Sequence, residues 1–120
     1  MAKIDPETDT LVGEWMSLND VAAQLGIPIR RVKQLLRERK LLSASRPDGK
    51  TAVPAAFLDG RQVVKGLPGT LTVLSDCGFD EQEALRWLFT TDETLPGTPI
   101  GALAGNRHTE VNRRAQALAF

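Results

Sequence analysis

Four polar side chains in the segment 29–40 have the types and the spacing to contact a nucleic acid. They are Arg30, Lys33, Gln34 and Arg37. At about 100° per residue, a helix would hold all four within about 100° of arc, on the side away from its apolar residues. Arginine, lysine and glutamine pair with guanine and adenine edges in the major groove of duplex DNA, which admits one α-helix. The spacing therefore predicts a recognition helix at about residues 29–40.

Five further cations are predicted to contact phosphates rather than bases, because they flank that arc or stand beside a tight turn. They are Arg31, Arg39, Lys40, Arg46 and Lys50. Residues 17–50 hold eight lysines and arginines against three acids, whereas the whole chain holds 15 of each charge. The net charge is zero, but the positive charge is concentrated in one third of the chain, as DNA binding requires.

Local signals predict the elements that position these cations. Ser17 and Asp20 have the spacing of an N-cap, and Gly26 follows the apolar residues of a short helix at 18–25. A Gly-Ile-Pro turn then leads into the second helix, which completes a helix-turn-helix. The apolar side of that second helix is predicted to consist of Ile29, Val32, Leu35 and Leu36.

A β-hairpin is predicted at 43–53, because Pro47, Asp48 and Gly49 form a turn sequence between two short strands. A hairpin in this position is a wing, and we expect it to contact the flanking DNA backbone or the minor groove. The rest of the chain is predicted to be helical. The predicted fold is mainly α, with a flexible acidic tail at 1–16, a winged helix-turn-helix at 17–58 and a helical C-terminal part at 59–120 packed on the same core.

The acidic tail contains two candidate phosphorylation sites, Thr8 and Thr10, which stand among acids. Phosphate groups there would add negative charge that competes with DNA for the basic surface. The alternative is a tail that only aids solubility.

Enzymatic chemistry is not expected. Cys77 is the only cysteine and His108 the only histidine, so the sequence offers no zinc site of known spacing, no catalytic triad and no need of a cofactor. The chain also lacks a long apolar run and a signal-peptide core, and we therefore expect a cytoplasmic protein of the nucleoid.

The segment LNDVAAQLGIPIRRV at 18–32, with RKL at 39–41, resembles the winged helix-turn-helix of the MerR and excisionase-like families. More closely, QVVKGLPGTLTVL at 62–74, RWLFT at 86–90 and RRAQALAF at 113–120 resemble a family of small actinobacterial DNA-binding proteins. The resemblance covers about residues 17–120. It implies a winged helix-turn-helix with a helical C-terminal part and double-stranded DNA as partner. One mycobacterial member is regulated by Ser/Thr protein kinases, so a kinase is also an implied partner.

The main hypothesis is a transcriptional regulator. The alternative is a protein-interaction module, because residues 88–103 and the last helix faintly resemble the toxin-binding region of Xre/MbcA/ParS-type antitoxins. In that case the C-terminal helices would bind a partner or form a homodimer. The simpler interpretation of those helices is a cap that completes a small core.

Overall fold

The structure, a computed structural model, describes residues 3–95 and 97–118. Within these residues, seven α-helices surround two small antiparallel sheets. The helices are α1 (Pro6–Val12), α2 (Leu18–Leu25), α3 (Ile29–Arg37), α4 (Leu67–Asp76), α5 (Glu81–Phe89), α6 (Pro99–Ala104) and α7 (His108–Ala117). The strands are β1 (Trp15–Ser17), β2 (Ala44–Ser45), β3 (Thr51–Pro54), β4 (Leu58–Asp59) and β5 (Gln62–Val63). The predicted fold class, a mainly helical winged helix-turn-helix, is confirmed.

The helix-turn-helix forms where its caps predict it. The Ser17 hydroxyl accepts a hydrogen bond from the Asp20 amide at 3.1 Å, and Gly26 closes α2 in the left-handed conformation at φ 69°. The second helix is shorter than expected, because it ends at Arg37 rather than at residue 40. Arg39 has a positive φ of 56°, and the Lys40 amide donates back to the Leu35 carbonyl at 3.0 Å, so the chain turns out of the helix there.

The wing is an antiparallel hairpin in which Ala44 pairs with Ala52 and Ser45 with Thr51. Its turn is closed by a hydrogen bond of 2.9 Å from the Arg46 amide to the Lys50 carbonyl. On its other edge β3 pairs with β1, so the sheet has the order β1-β3-β2. The strand that precedes α2 therefore ties the helix-turn-helix directly to the wing.

The prediction of a flexible tail at 1–16 is wrong for the described residues from 3 onward. The Ile4 side chain is buried, and its amide donates to the Ser45 carbonyl at 2.9 Å beside β2. Asp5 caps α1 by accepting from the Thr8 amide at 2.7 Å, and α1 packs against α5. The physical reason is that Asp5 and Pro6 together make a good helix start, and that apolar side chains of this segment join the core.

The C-terminal helices complete that core. Asp80 and Glu83 form a capping box at the start of α5. Thr98 caps the short helix α6, and Pro99 is its first residue. The β4–β5 hairpin at 58–63 departs from the prediction that the rest of the chain is helical.

One hydrophobic cluster joins the two halves of the described chain. Phe57 from the end of the winged helix-turn-helix is fully buried, and its ring lies 5.8 Å from the ring of Phe89 on α5. The cluster includes Val21, Val32 and Val53 from the first half, and Leu74, Leu85, Leu88, Leu103 and Val111 from the second. The side of α3 that carries Val32 thus packs on the core, and the opposite side of the helix faces solvent.

Two kinds of feature are absent from the described residues. No helix among them is both long and apolar enough to cross a bilayer. Nor do three or more His, Cys, Asp or Glu side chains within the described ranges meet in a way that could hold a metal ion.

Candidate nucleic-acid interface

The outward side of α3 presents the cations that the helical spacing predicted to lie together. Val32 is 0% exposed and faces the core, whereas Arg30, Lys33 and Arg37 are exposed on the other side of the helix. Among the residues that the structure describes, none of these three side chains forms an ion pair or a hydrogen bond. Their charges are therefore available to a ligand.

Gln34, the fourth residue predicted to contact bases, already has a partner in the structure. The Gln34 amide donates to the Glu38 carboxylate at 3.2 Å, and Gln34 is half-buried. The same carboxylate lies 3.6 Å from the ammonium group of Lys40, in a pair with both side chains about half exposed. Such exposed pairs are worth at most about 1 kcal/mol, so both groups can exchange partners at small cost. Arg31 is exposed on the flank of the helix.

Arg39 does not lie with the other cations of this segment. Its left-handed backbone turns it toward the C-terminal helices, and its guanidinium donates to the hydroxyl of Ser75 on α4 at 3.2 Å. Arg39 also lines a small cavity with Leu42 and Phe79. Arg39, which is predicted to contact a phosphate, thus packs on α4 in this structure.

Arg46, at the base of the wing turn, is held by residues of the N-terminal segment. Its guanidinium donates to both carboxylate oxygens of Asp9, at 2.8 and 3.3 Å, and lies 5.6 Å from the centre of the Trp15 ring. The hydrogen bond that Arg46 donates to the Asp9 carboxylate raises the pKa of Arg46 above its ordinary value. Lys50 stands across the wing turn and is exposed.

An open groove separates α3 from the wing. Its lining includes Ile29 and Lys33 from α3, Asn19 from the first turn of α2, and Lys50 and Thr51 from the wing. We call this surface the wing groove. The wing groove brings Lys33 of α3 and Lys50 of the wing to the same depression. A surface that follows the phosphate backbone of DNA needs cations in this arrangement.

Ile29 corrects one prediction. It was expected on the buried side of α3, yet it is 36% exposed and lines the wing groove. The reason is its place in the first turn, at the edge of the apolar arc, where no further turn of helix covers it. Asn19 and Ile29 are among the groove residues that sequence reasoning missed, and their position at helix starts was the available signal for both.

The two candidate phosphorylation sites lie on α1 in different surroundings. Thr8 is 1% exposed, whereas the next candidate along the helix, Thr10, is exposed.

Two family models match the chain and together cover most of it. Residues 3–58 match the model described as "DNA-binding protein Rv2175c, wHTH domain", and residues 64–119 match "Rv2175c C-terminal domain of unknown function". The chain belongs to the Rv2175c family. The first of these matches begins at residue 3, so this N-terminal segment is part of the Rv2175c-type winged helix-turn-helix rather than an addition to it.

Similarity to a mycobacterial Rv2175c protein extends over nearly the whole chain. The DNA-binding protein Rv2175c of Mycobacterium tuberculosis strain ATCC 25618 / H37Rv is 39% identical over 129 aligned residues, which cover 98% of this chain and 85% of that protein. The NMR structure of Rv2175c has a TM-score of 0.83 and 37% identity, and the match covers 100% of this chain and 89% of that one. The resemblance to an actinobacterial winged helix-turn-helix family is therefore confirmed.

Proposed function

We propose that this protein binds double-stranded DNA and acts as a transcriptional regulator, with α3 in the major groove and the wing at 43–53 on the flanking backbone or minor groove. The observation that carries the proposal is a set of three exposed cations on α3, opposite the buried Val32, that have no partner within residues 3–95 and 97–118. Under this proposal the protein works in the cytoplasm, at the nucleoid. The matched winged helix-turn-helix model and the mycobacterial relative are both named "DNA-binding protein Rv2175c", which supports the same function.

The charge around α3 favours a ligand over a merely hydrated surface. Glu38 is the only acid between residues 29 and 40, and it lies beyond the end of α3. Surface helices that face only water commonly carry compensating acids at a spacing of three or four residues. Here Arg30, Lys33 and Arg37 follow that spacing without an acid among them, so they repel one another until an anion binds.

The cations take different roles in this proposal. Arg30 and Lys33 lie in the first half of α3, the part of a recognition helix that contacts base edges, and Gln34 and Arg37 complete the reading surface. Arg31, Lys40 and Lys50 contact phosphates. Arg39 already contacts Ser75, and Arg46 already contacts Asp9. Each of these arginines can contact a phosphate only by exchanging that partner or by sharing its guanidinium between the two.

The alternative, a protein-interaction module built on the C-terminal helices, receives less support. Helix α6 buries Pro99, Ile100, Ala102 and Leu103, and α7 buries Val111 and Ala115. These apolar side chains are therefore already used inside the chain, and Leu118 at the end of α7 is the large apolar side chain of this region that stays exposed among the described residues. The packing supports the simpler interpretation, in which these helices complete the core.

Regulation through the N-terminal helix is a further part of the proposal, with a Ser/Thr kinase as partner. Thr10 is exposed and follows Asp9, the residue that holds Arg46. A phosphate at Thr10 would add a charge of about −1.5 to −2 beside the wing and oppose DNA binding. The buried Thr8 side chain becomes a kinase substrate only when α1 opens.

The salt dependence of duplex binding tests the proposed function. With three to five phosphate contacts, affinity for a duplex is expected to fall about 40- to 500-fold between about 50 and 200 mM salt, because each contact releases condensed counterions. Fluorescence anisotropy with a labelled duplex measures this directly. An affinity that changes less than about threefold over this range would contradict the proposal and favour an apolar partner interface.

A further inference from the structure

We propose that Ile29 is a specificity-determining residue that packs against the C5-methyl group of a thymine in the major groove. This inference rests on the proposed function, since it needs α3 to lie in a groove. It adds an apolar base contact to an interface that the sequence predicted to consist of cations and one amide.

The first observation is the unusual exposure of this side chain. Ile29 is 36% exposed, although its neighbour on the same helix, Val32, is completely buried. It opens α3 directly after Pro28, which caps the helix without a side-chain hydrogen bond. An isoleucine is stiff and apolar, so it gains nothing from water at this position and is preorganised to pack against an apolar group.

The second observation is the position of Ile29 among cations. Lys33 stands one helical turn further along α3, and both residues line the wing groove together with Lys50 from the wing. An apolar protein surface that covered Ile29 would have to remove water from these two lysines as well, which is unfavourable. DNA avoids that conflict, because its phosphates pair with the lysines while its base edges reach the side chain between them.

The chemistry of the major groove then selects the base. The groove floor presents hydrogen-bond donors and acceptors at every base pair, and the C5-methyl group of thymine is its apolar feature. The N-terminal residues of a recognition helix are the ones that reach base edges. Ile29 is the first residue of α3, so a thymine methyl fits both its position and its chemistry.

Replacing thymine by uracil removes only the methyl group and therefore tests the contact. The full chain is used to select a bound duplex from a random pool, and each thymine of that duplex is then replaced singly by uracil. We expect uracil at one position, or at two adjacent ones, to weaken wild-type binding about fourfold, the effect of one buried methyl group. Ile29→Ala is expected to lose this penalty at the same position and to keep the hydrogen-bond preferences at other positions.

Two further variants make the result specific. Ile29→Val, which keeps most of the side chain, is expected to retain the uracil penalty. Leu11→Ala removes another exposed leucine-sized side chain on α1, away from α3, and is expected to leave the penalty unchanged.

The outcomes also separate this inference from the proposed function. Wild-type protein that binds the duplex with steep salt dependence but tolerates uracil everywhere would overturn the role of Ile29 alone. The same holds if Ile29→Ala keeps every uracil penalty. Wild-type protein that binds no duplex at all would overturn both.

Discussion

Replacing both Arg30 and Lys33 by alanine is expected to weaken duplex binding by about 30-fold or more. Each side chain is exposed and unpaired within the described part of the chain. A contact from such a residue to a base edge contributes about 1–3 kcal/mol, and two contacts therefore give at least about 2 kcal/mol. Equilibrium anisotropy at constant salt measures the loss.

The matched control for that experiment is the double variant Lys65→Ala and Arg113→Ala. It removes the same charge from a chain whose net charge is zero, and both residues are exposed, but neither lies on α3 or the wing. The affinity of this control for the duplex is expected to change less than about threefold, because it loses only the long-range attraction of two positive charges. The Arg30 and Lys33 variant loses that attraction as well as its direct contacts. Equal losses in the two double variants would mean that α3 has no special part in binding.

Replacing Phe57 by alanine is expected to lower the free energy of unfolding by about 3–5 kcal/mol, the usual effect of a large-to-small change in a core. Phe57 is 0% exposed and lies 5.8 Å from Phe89, so the cavity would open between the winged helix-turn-helix and α5. For a chain of this size that is a large part of the total stability. Urea unfolding followed by tryptophan fluorescence gives the value.

The same experiment tests whether the two halves share one core. Trp15 lies on β1 and Trp87 on α5, so single-tryptophan variants report on each half separately. We expect one coincident transition for both, and an earlier but still coincident one after Phe57→Ala. Leu11→Ala, at an exposed position, is expected to change stability by less than about 0.5 kcal/mol. Separate transitions at Trp15 and Trp87 would contradict the shared core.

The parts of the fold that follow local rules could be predicted from the sequence. The Ser17 cap, the left-handed Gly26 and the Pro-Asp-Gly turn each act over a few residues, and each stands where it was expected. The outward side of α3 follows from helical periodicity alone, because Val32 and the residues in register with it must face the core.

The errors came from contacts between residues that are distant in sequence. The acidic composition of residues 1–16 concealed a helix start at Asp5, whose amide is bound by Gln82, 77 residues away. Arg46 is separated by 37 residues from Asp9, so no local pattern reveals that pair. The prediction that Ile29 is buried failed for a different reason. Helical periodicity locates the middle of an apolar arc better than its edge, and Ile29 lies at the edge.

The most direct test of the central claim, that α3 turns its cations outward to meet DNA, is NMR mapping on the whole chain. Unlabelled duplex is titrated into ¹⁵N-labelled protein, and the amide shifts are followed residue by residue. We predict that the largest changes fall on residues 29–37 and on the wing turn at 46–51, with little change in α6 and α7. Changes confined to the C-terminal helices, with the amides of α3 unmoved, would contradict the account.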